Sequence, residues 1–190
     1  MAFLGLQVPA PTSRLFSEIE VDGDKTALGT YHVTMIYMGK DVPMEVLSEA
    51  IKATFEVTSK TRPFSVKTNK VTTFPKNDDG VPIIARVESE ALHDLRAKLV
   101  ESFQANGVDF NNKYPDYKPH VTLSYAEDSI SDFEIPTVEW GAHELVLWGG
   151  DDGDRKLVVT FPFSLDADKT ANKVLGRYLG KSAASSGAIP

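Results

Sequence analysis

The triplet His-Val-Thr occurs twice in this chain, at residues 32 to 34 and again at 120 to 122. Each copy opens a run of β-branched and aromatic residues, HVTMIYM and HVTLSYA, that reads as a strand. Side chains alternate along a strand, so His32 and Thr34 share one face while Val33 takes the other, and His120 and Thr122 likewise oppose Val121. Each motif therefore delivers an imidazole and a hydroxyl together. Two imidazoles are what phosphodiester transfer needs without a metal: a neutral one takes a proton from the attacking oxygen, and a protonated one gives a proton to the leaving oxygen. The threonine hydroxyls would donate to the non-bridging oxygens, where charge builds in the transition state. With four histidines and fourteen threonines in 190 residues, chance supplies about 0.3 matches to His-x-Thr with any middle residue. The bland alternative, two strand histidines satisfied by ordinary hydrogen bonds, needs the same triplet at corresponding places by coincidence.

To act together the two strands must lie side by side, and the surrounding pattern supports this. FLGLQV (3 to 8) reads as a short strand ended by prolines, and LFSEI as one or two helical turns. After the first motif strand, Pro43 suits a first helical turn with Asp41 as a candidate cap, and Val46, Leu47, Ala50, Ile51 and Phe55 mark one face of a helix ending near Ser59. Residues 64 to 74 and 81 to 88 form a hairpin pattern around PKNDDG. Leu92, Leu95, Leu99 and Phe103 mark a second helix over about 89 to 105, stopped by Asn106-Gly107. The second motif strand follows, then IPTVEW, HELVLW and KLVVTFPF, with DDGD as the last turn. Strands and helices alternate in two similar halves, which implies an α+β fold of two antiparallel lobes with flanking helices around a central cleft.

Composition narrows the function classes. The chain has 42% hydrophobic residues and no cysteine, which fits one packed domain with neither disulfides nor a thiolate metal site. A net charge of −7 argues against a surface that grips long duplex nucleic acid. One basic stretch, Lys60, Arg62, Lys67, Lys70 and Lys76, runs against that sign, and it either faces phosphate or decorates a strand edge. The opening MAFLGLQVPAPTSR lacks the basic region of a signal peptide and the length of a membrane span, so a cytoplasmic monomer is the expectation. Residues 1 to 165 are read as the domain and 166 to 190 as a basic tail. In the tail, Lys169, Lys173, Arg177 and Lys181 recur beside Val174, Leu175, Tyr178 and Leu179, a pattern for a short helix that contacts a partner or for a solvated end. Asp151, Asp152 and Asp154 lack the spacing of a calcium loop, and no phosphate loop, H-E-x-x-H or G-x-S-x-G occurs. No metal or cofactor is expected.

Over roughly residues 2 to 163 the sequence resembles the 2H phosphoesterase superfamily, also described as 2′-5′ RNA ligase-like. The likeness is carried by FLGLQVP, YHVTMIYMG, YKPHVTLSYA and the terminal pair HELVLW and KLVVTF. It implies a bilobal fold, His32 and His120 as acid and base, and Thr34 and Thr122 as phosphate-binding groups. It also implies a phosphodiesterase acting on a small nucleotide or short oligonucleotide. Substrates in the family include 2′,3′-cyclic phosphates, 2′-5′ oligoadenylates and ADP-ribose cyclic phosphates, and phage members of the anti-CBASS type destroy cyclic-oligonucleotide immune signals. Where the family often has an arginine after the second motif this chain has Tyr125, a departure that weighs against RNA-end specificity. Processing of 2′,3′-cyclic RNA ends and a non-catalytic module that sequesters nucleotides or binds protein are the alternatives.

Strand alternation then proposes neighbours for the four motif residues. Ile36 and Ser124 share their parity, whereas Tyr31, Tyr37 and Tyr125 take the opposite one and should pack on helices. Trp148, Phe74 and Tyr117 are the candidate substrate-binding residues, because a nucleobase stacks on an exposed ring whatever its identity. His93, beside Asp94 on the second helix, reads as a solvated surface residue.

Overall fold

The computed structural model describes residues 1–111, 116–149 and 156–164. The DDGD turn and the basic tail lie outside these residues. The chain runs β1 (Ala2–Gln7), α1 (Ala10–Glu18), β2 (Asp24–Lys25), β3 (His32–Gly39), α2 (Met44–Thr58), β4 (Phe64–Thr73), β5 (Val81–Glu88), α3 (Glu90–Ala105), β6 (His120–Ala126), β7 (Phe133–Ala142), β8 (Glu144–Gly149) and β9 (Lys156–Pro162). Both helices expected after the first motif form. Ser89 caps α3 by accepting from the Leu92 N–H, and Gly107 ends it with φ +66°. The expected cap of α2 is overturned: Pro43, not Asp41, occupies the N-cap position, and Asp41 lies in the turn before it with φ +50°.

The strands form one connected antiparallel sheet in the order β7-β4-β5-β6-β3-β1-β8-β9, with β2 on the end of β6. Its two halves correspond. β6-β5-β4-β7 runs outward from the second motif, and β3-β1-β8-β9 runs outward from the first. They meet at a single register pair, Val33 against Val121. On one face of the sheet Val33, Val121, Leu4, Leu6, Ala85 and Val87 join the helices in the core, with Leu92, Leu95, Leu99 and Phe103 of α3 fully buried as their spacing implied. Phe16 of α1 fills the core between Tyr31 and Trp140, at ring distances of 5.8 and 5.6 Å.

The seam between the halves has a second tie. Tyr117, three residues before His120, donates its hydroxyl to the Thr34 carbonyl at 3.1 Å and lies 3.1 Å from the Met35 sulfur. Its ring is held by the Arg96 guanidinium at 5.7 Å, which also covers Phe110 at 5.6 Å. Burial pushes the phenol well above its ordinary pKa, so it remains a donor at any physiological pH. Tyr117→Phe leaves the packing and removes the bond, so urea unfolding should show a loss of about 1 kcal/mol, and an unchanged midpoint would remove this tie from the account.

Candidate active site

The seam sets the site's geometry. Val33 and Val121 oppose each other and point into the core, so one antiparallel step either way sets His32 against Thr122 and Thr34 against His120, all four on the other face. Directly opposed residues have Cβ atoms about 4.5–5.5 Å apart, which makes a compact quartet with approximate twofold symmetry. All four side chains are half-buried. Among the described residues neither threonine side chain makes a hydrogen bond, so both hydroxyls are free to donate to a ligand.

Both imidazoles are oriented in the same way. His32 Nδ1 lies 2.8 Å from the Thr30 carbonyl and His120 Nδ1 lies 2.7 Å from the Lys118 carbonyl. A carbonyl only accepts, so each Nδ1 carries the hydrogen, and Nε2 is left as the atom that exchanges a proton with a substrate. Burial lowers the pKa of His120, partly offset by the Lys118 carbonyl, which favours the protonated form.

The surroundings of the two histidines differ. His32 lies against Phe3 at 4.8 Å and Trp148 at 5.6 Å, and those two rings stack at 4.9 Å. Gly5 makes this possible: a Cβ there would meet the Trp148 ring at 3.1 Å and the Val33 carbonyl oxygen at 2.9 Å. His120 meets Phe74 edge-on at 4.6 Å. The structure thus places Trp148 and Phe74 beside the motif histidines. Tyr117 is brought elsewhere, onto the backbone of β3 with its ring against His93 of α3. His93 itself is exposed.

The expectation for Ile36 and Ser124 is overturned. The pairing of β1 with β3 passes from Gly5–Thr34 to Leu4–Ile36, and that of β5 with β6 from Ile84–Thr122 to Ile83–Ser124, so Met35 and Leu123 are extra residues in matching bulges. A bulge shifts the alternation by one. Ile36 therefore opposes Leu4 and enters the core, and Ser124 hydrogen-bonds the Asp22 carbonyl at 2.7 Å, while Tyr37 and Tyr125 take the parity of the histidines.

Sequence reasoning missed Arg86. It stands directly opposite His120 on β5, and Lys70 of β4 stands opposite Arg86. The signal was there: Arg86 interrupts an otherwise apolar run, VPIIARV. Of the basic stretch noted above, Lys70 pairs with Asp132 at 2.7 Å and Lys67 faces Glu88 and Glu139 across the sheet. Lys70 and the Thr72 hydroxyl hold the Asp132 carboxylate below its ordinary pKa. Among the described residues no group of three or more His, Asp or Glu side chains is placed to hold a metal ion, and no helix is long and apolar enough to cross a membrane.

Comparison with known proteins agrees with this geometry. The model of the 2′-5′ RNA ligase superfamily matches residues 9–154. The anti-CBASS protein Acb1 of Vibrio phage KVP40 is 28% identical over 107 residues, covering 56% of this chain and 58% of the phage protein. Among solved structures, TT0787 of Thermus thermophilus superposes with a TM-score of 0.68 at 18% identity, covering 85% of this chain and 97% of that one. E. coli LigT complexed with 3′-AMP gives 0.65 at 16% identity, covering 86% and 97%. Two HxT strands joined at one pair, on a fold shared with LigT and within the span of the family match, place this chain in the 2′-5′ RNA ligase superfamily of 2H phosphoesterases.

Proposed function

We propose that this chain is a metal-independent phosphodiesterase that cleaves a 2′,5′, 3′,5′ or cyclic phosphodiester in a small oligonucleotide. The observation that carries the reading is the quartet at the seam: two imidazoles with matched Nδ1 bonds, each opposite a threonine with a free hydroxyl. In this scheme His120 is the base of the first step, because burial favours its neutral form. Its Nε2 takes the proton of the attacking hydroxyl or water, the oxygen attacks phosphorus, and the leaving oxygen takes the proton from His32 Nε2. His32 takes the acid role as the partner of a basic His120 across the quartet. Thr34 and Thr122 donate to the two non-bridging oxygens. The likeness to a phage anti-CBASS protein favours an oligonucleotide immune signal as the substrate class, and the crystallisation of E. coli LigT with 3′-AMP, NADP+ and ATP favours a nucleotide in the cleft.

The test is incubation in EDTA with 2′-5′ oligoadenylate, cyclic di- and trinucleotides and 2′,3′-cyclic AMP, with products read by mass spectrometry. Wild type should cleave at least one of them, and His32→Ala or His120→Ala should fold normally and lose about 10²-fold or more of kcat. Ligand recovered intact and bound would turn the reading to sequestration.

The pH profile follows from His120. Its pKa lies below the ordinary 6.5, so the acid limb of kcat/KM should have its midpoint below 6.5. The unfolded chain binds that proton more readily than the folded one, so stability from this group is present above about pH 6.5 and is lost as pH falls through the folded pKa. A midpoint at or above 6.5 would return the base role to His32.

Trp148 is proposed as the base platform. Of the two tryptophans, Trp140 is buried in the core, so quenching of fluorescence by an adenine nucleotide should report Trp148 and vanish in Trp148→Ala. Loss of a stacked base costs about 1–3 kcal/mol, so KM should rise about 5- to 150-fold. Gly5→Ala, which pushes the indole aside, should raise KM in the same direction; wild-type KM in both variants would remove the platform.

A further inference from the structure

We propose that Arg86 builds a subsite for a second phosphate, adjacent to the one that reacts and on the His120 side, so that the enzyme prefers substrates carrying two or more phosphates over cyclic mononucleotides. The inference rests on the phosphodiesterase reading and adds the substrate class to it.

The sheet register carries the argument. Glu134 of β7 opposes Lys70 of β4, Lys70 opposes Arg86 of β5, and Arg86 opposes His120 of β6. Opposed residues share a face, so these four side chains form one row that enters the quartet at His120. Neighbouring strands are about 4.8 Å apart, which puts Arg86 one strand outside the quartet where the reacting phosphate is held.

Charge is distributed unequally along this row. Lys70 is engaged by Asp132, whose other oxygen accepts from the Thr72 hydroxyl. Lys67, further along the face, lies opposite Glu88 and Glu139. Arg86 is exposed and, among the described residues, makes no hydrogen bond or ion pair, although its charge is felt by Asp132. Its counterpart across the approximate twofold axis is Gln7, which opposes His32 and carries no charge. A guanidinium presents a rigid fork of donors that fits phosphate oxygens in pairs. One half of the cleft thus offers a cation beside its histidine, and the other offers the Trp148 and Phe3 rings. A single-phosphate substrate fills the quartet and leaves Arg86 without a ligand; an oligonucleotide fills both.

Binding of three probes separates the possibilities: the diadenylate ApA, the same dinucleotide with a 5′-terminal phosphate, and the same with a 3′-terminal phosphate. All are measured on the full chain in the His32→Ala background, so that ligand stays intact, with and without Arg86→Gln. With Arg86 present, one phosphorylated dinucleotide should bind about tenfold tighter than ApA, and Arg86→Gln should remove most of that difference. The slope of log affinity against log salt for that ligand should fall by about 0.7, the value for one phosphate contact on a single strand. Arg86 is exposed, so the variant's unfolding midpoint serves as the control for folding.

Equal weakening of all three probes would overturn the subsite, because Arg86 would then serve the reacting phosphate itself. No change in any probe, or no binding of any, would also overturn it. Failure of the parent reading looks different: if the chain with His32 intact turns over none of the oligonucleotides while Arg86-dependent discrimination persists, the phosphodiesterase reading falls and the anion subsite stands. Turnover without Arg86-dependent discrimination does the reverse.

Discussion

The site depends on one backbone contact, the antiparallel pairing of Val33 with Val121. Backbone hydrogen bonds fix the spacing of the two strands and their relative register, and the alternation of side chains does the rest. With both valines committed to the core by burial, the four flanking side chains have no choice of face. A slip of one residue would turn one motif's histidine and threonine into the hydrophobic core, where an imidazole loses its hydration and a hydroxyl its partners. The register of the site is thus protected by the same free energy that holds the fold together. Tyr117 reinforces it from the core side by tying the chain just before His120 to the carbonyl of Thr34.

A flat sheet would offer these four groups on an open surface. The matching bulges at Met35 and Leu123, each one residue beyond a motif threonine, change that. An extra residue bends its strand and increases the local twist, so β3 and β6 stay paired at the motif and part beyond it. The bulges also rotate Ile36 and Ser124 away from the site and bring Tyr37 and Tyr125 to the histidine parity. The symmetry of the frame therefore extends to the bulges that follow the two motifs.

Most of the frame was legible in the sequence because it is written in local signals: β-branched runs for the motif strands, a 3.6-residue apolar stripe for α3 and an Asn-Gly stop. The position of Trp148 follows from strand alternation, which sets it opposite in parity to Leu145 and Leu147 of the core. The bulges were not legible, because HVTMIYM and HVTLSYA alternate no differently from regular strands and the extra residue is defined only by what the neighbouring strand does. Arg86 was missed through a related failure. The dense basic stretch is the stronger local signal, but its lysines at 67 and 70 face carboxylates across the sheet, whereas Arg86 is a single residue whose place beside His120 exists only after β5 and β6 pair. Tyr117 was a candidate because an exposed ring can stack a base, but it precedes the strand and its ring turns to the helix side.

The charge balance explains how an acidic protein handles an anionic substrate. A net charge of −7 repels phosphates at long range, and a broad basic groove would be needed to overcome that for a long polymer. A short ligand engages only the immediate site, where the field is set by what lies within a few ångströms. There Lys67 and Lys70 face carboxylates, and the groups proposed to meet phosphate are the motif histidines and Arg86. The motif imidazoles are half-buried, where a hydrogen bond to phosphate is worth more than the same contact in bulk water, and the exposed guanidinium adds a fixed charge with a rigid fork of donors. Repulsion from the rest of the surface then works as discrimination: it penalises each additional phosphate that finds no partner, and so favours ligands with few enough phosphates that each one meets a donor.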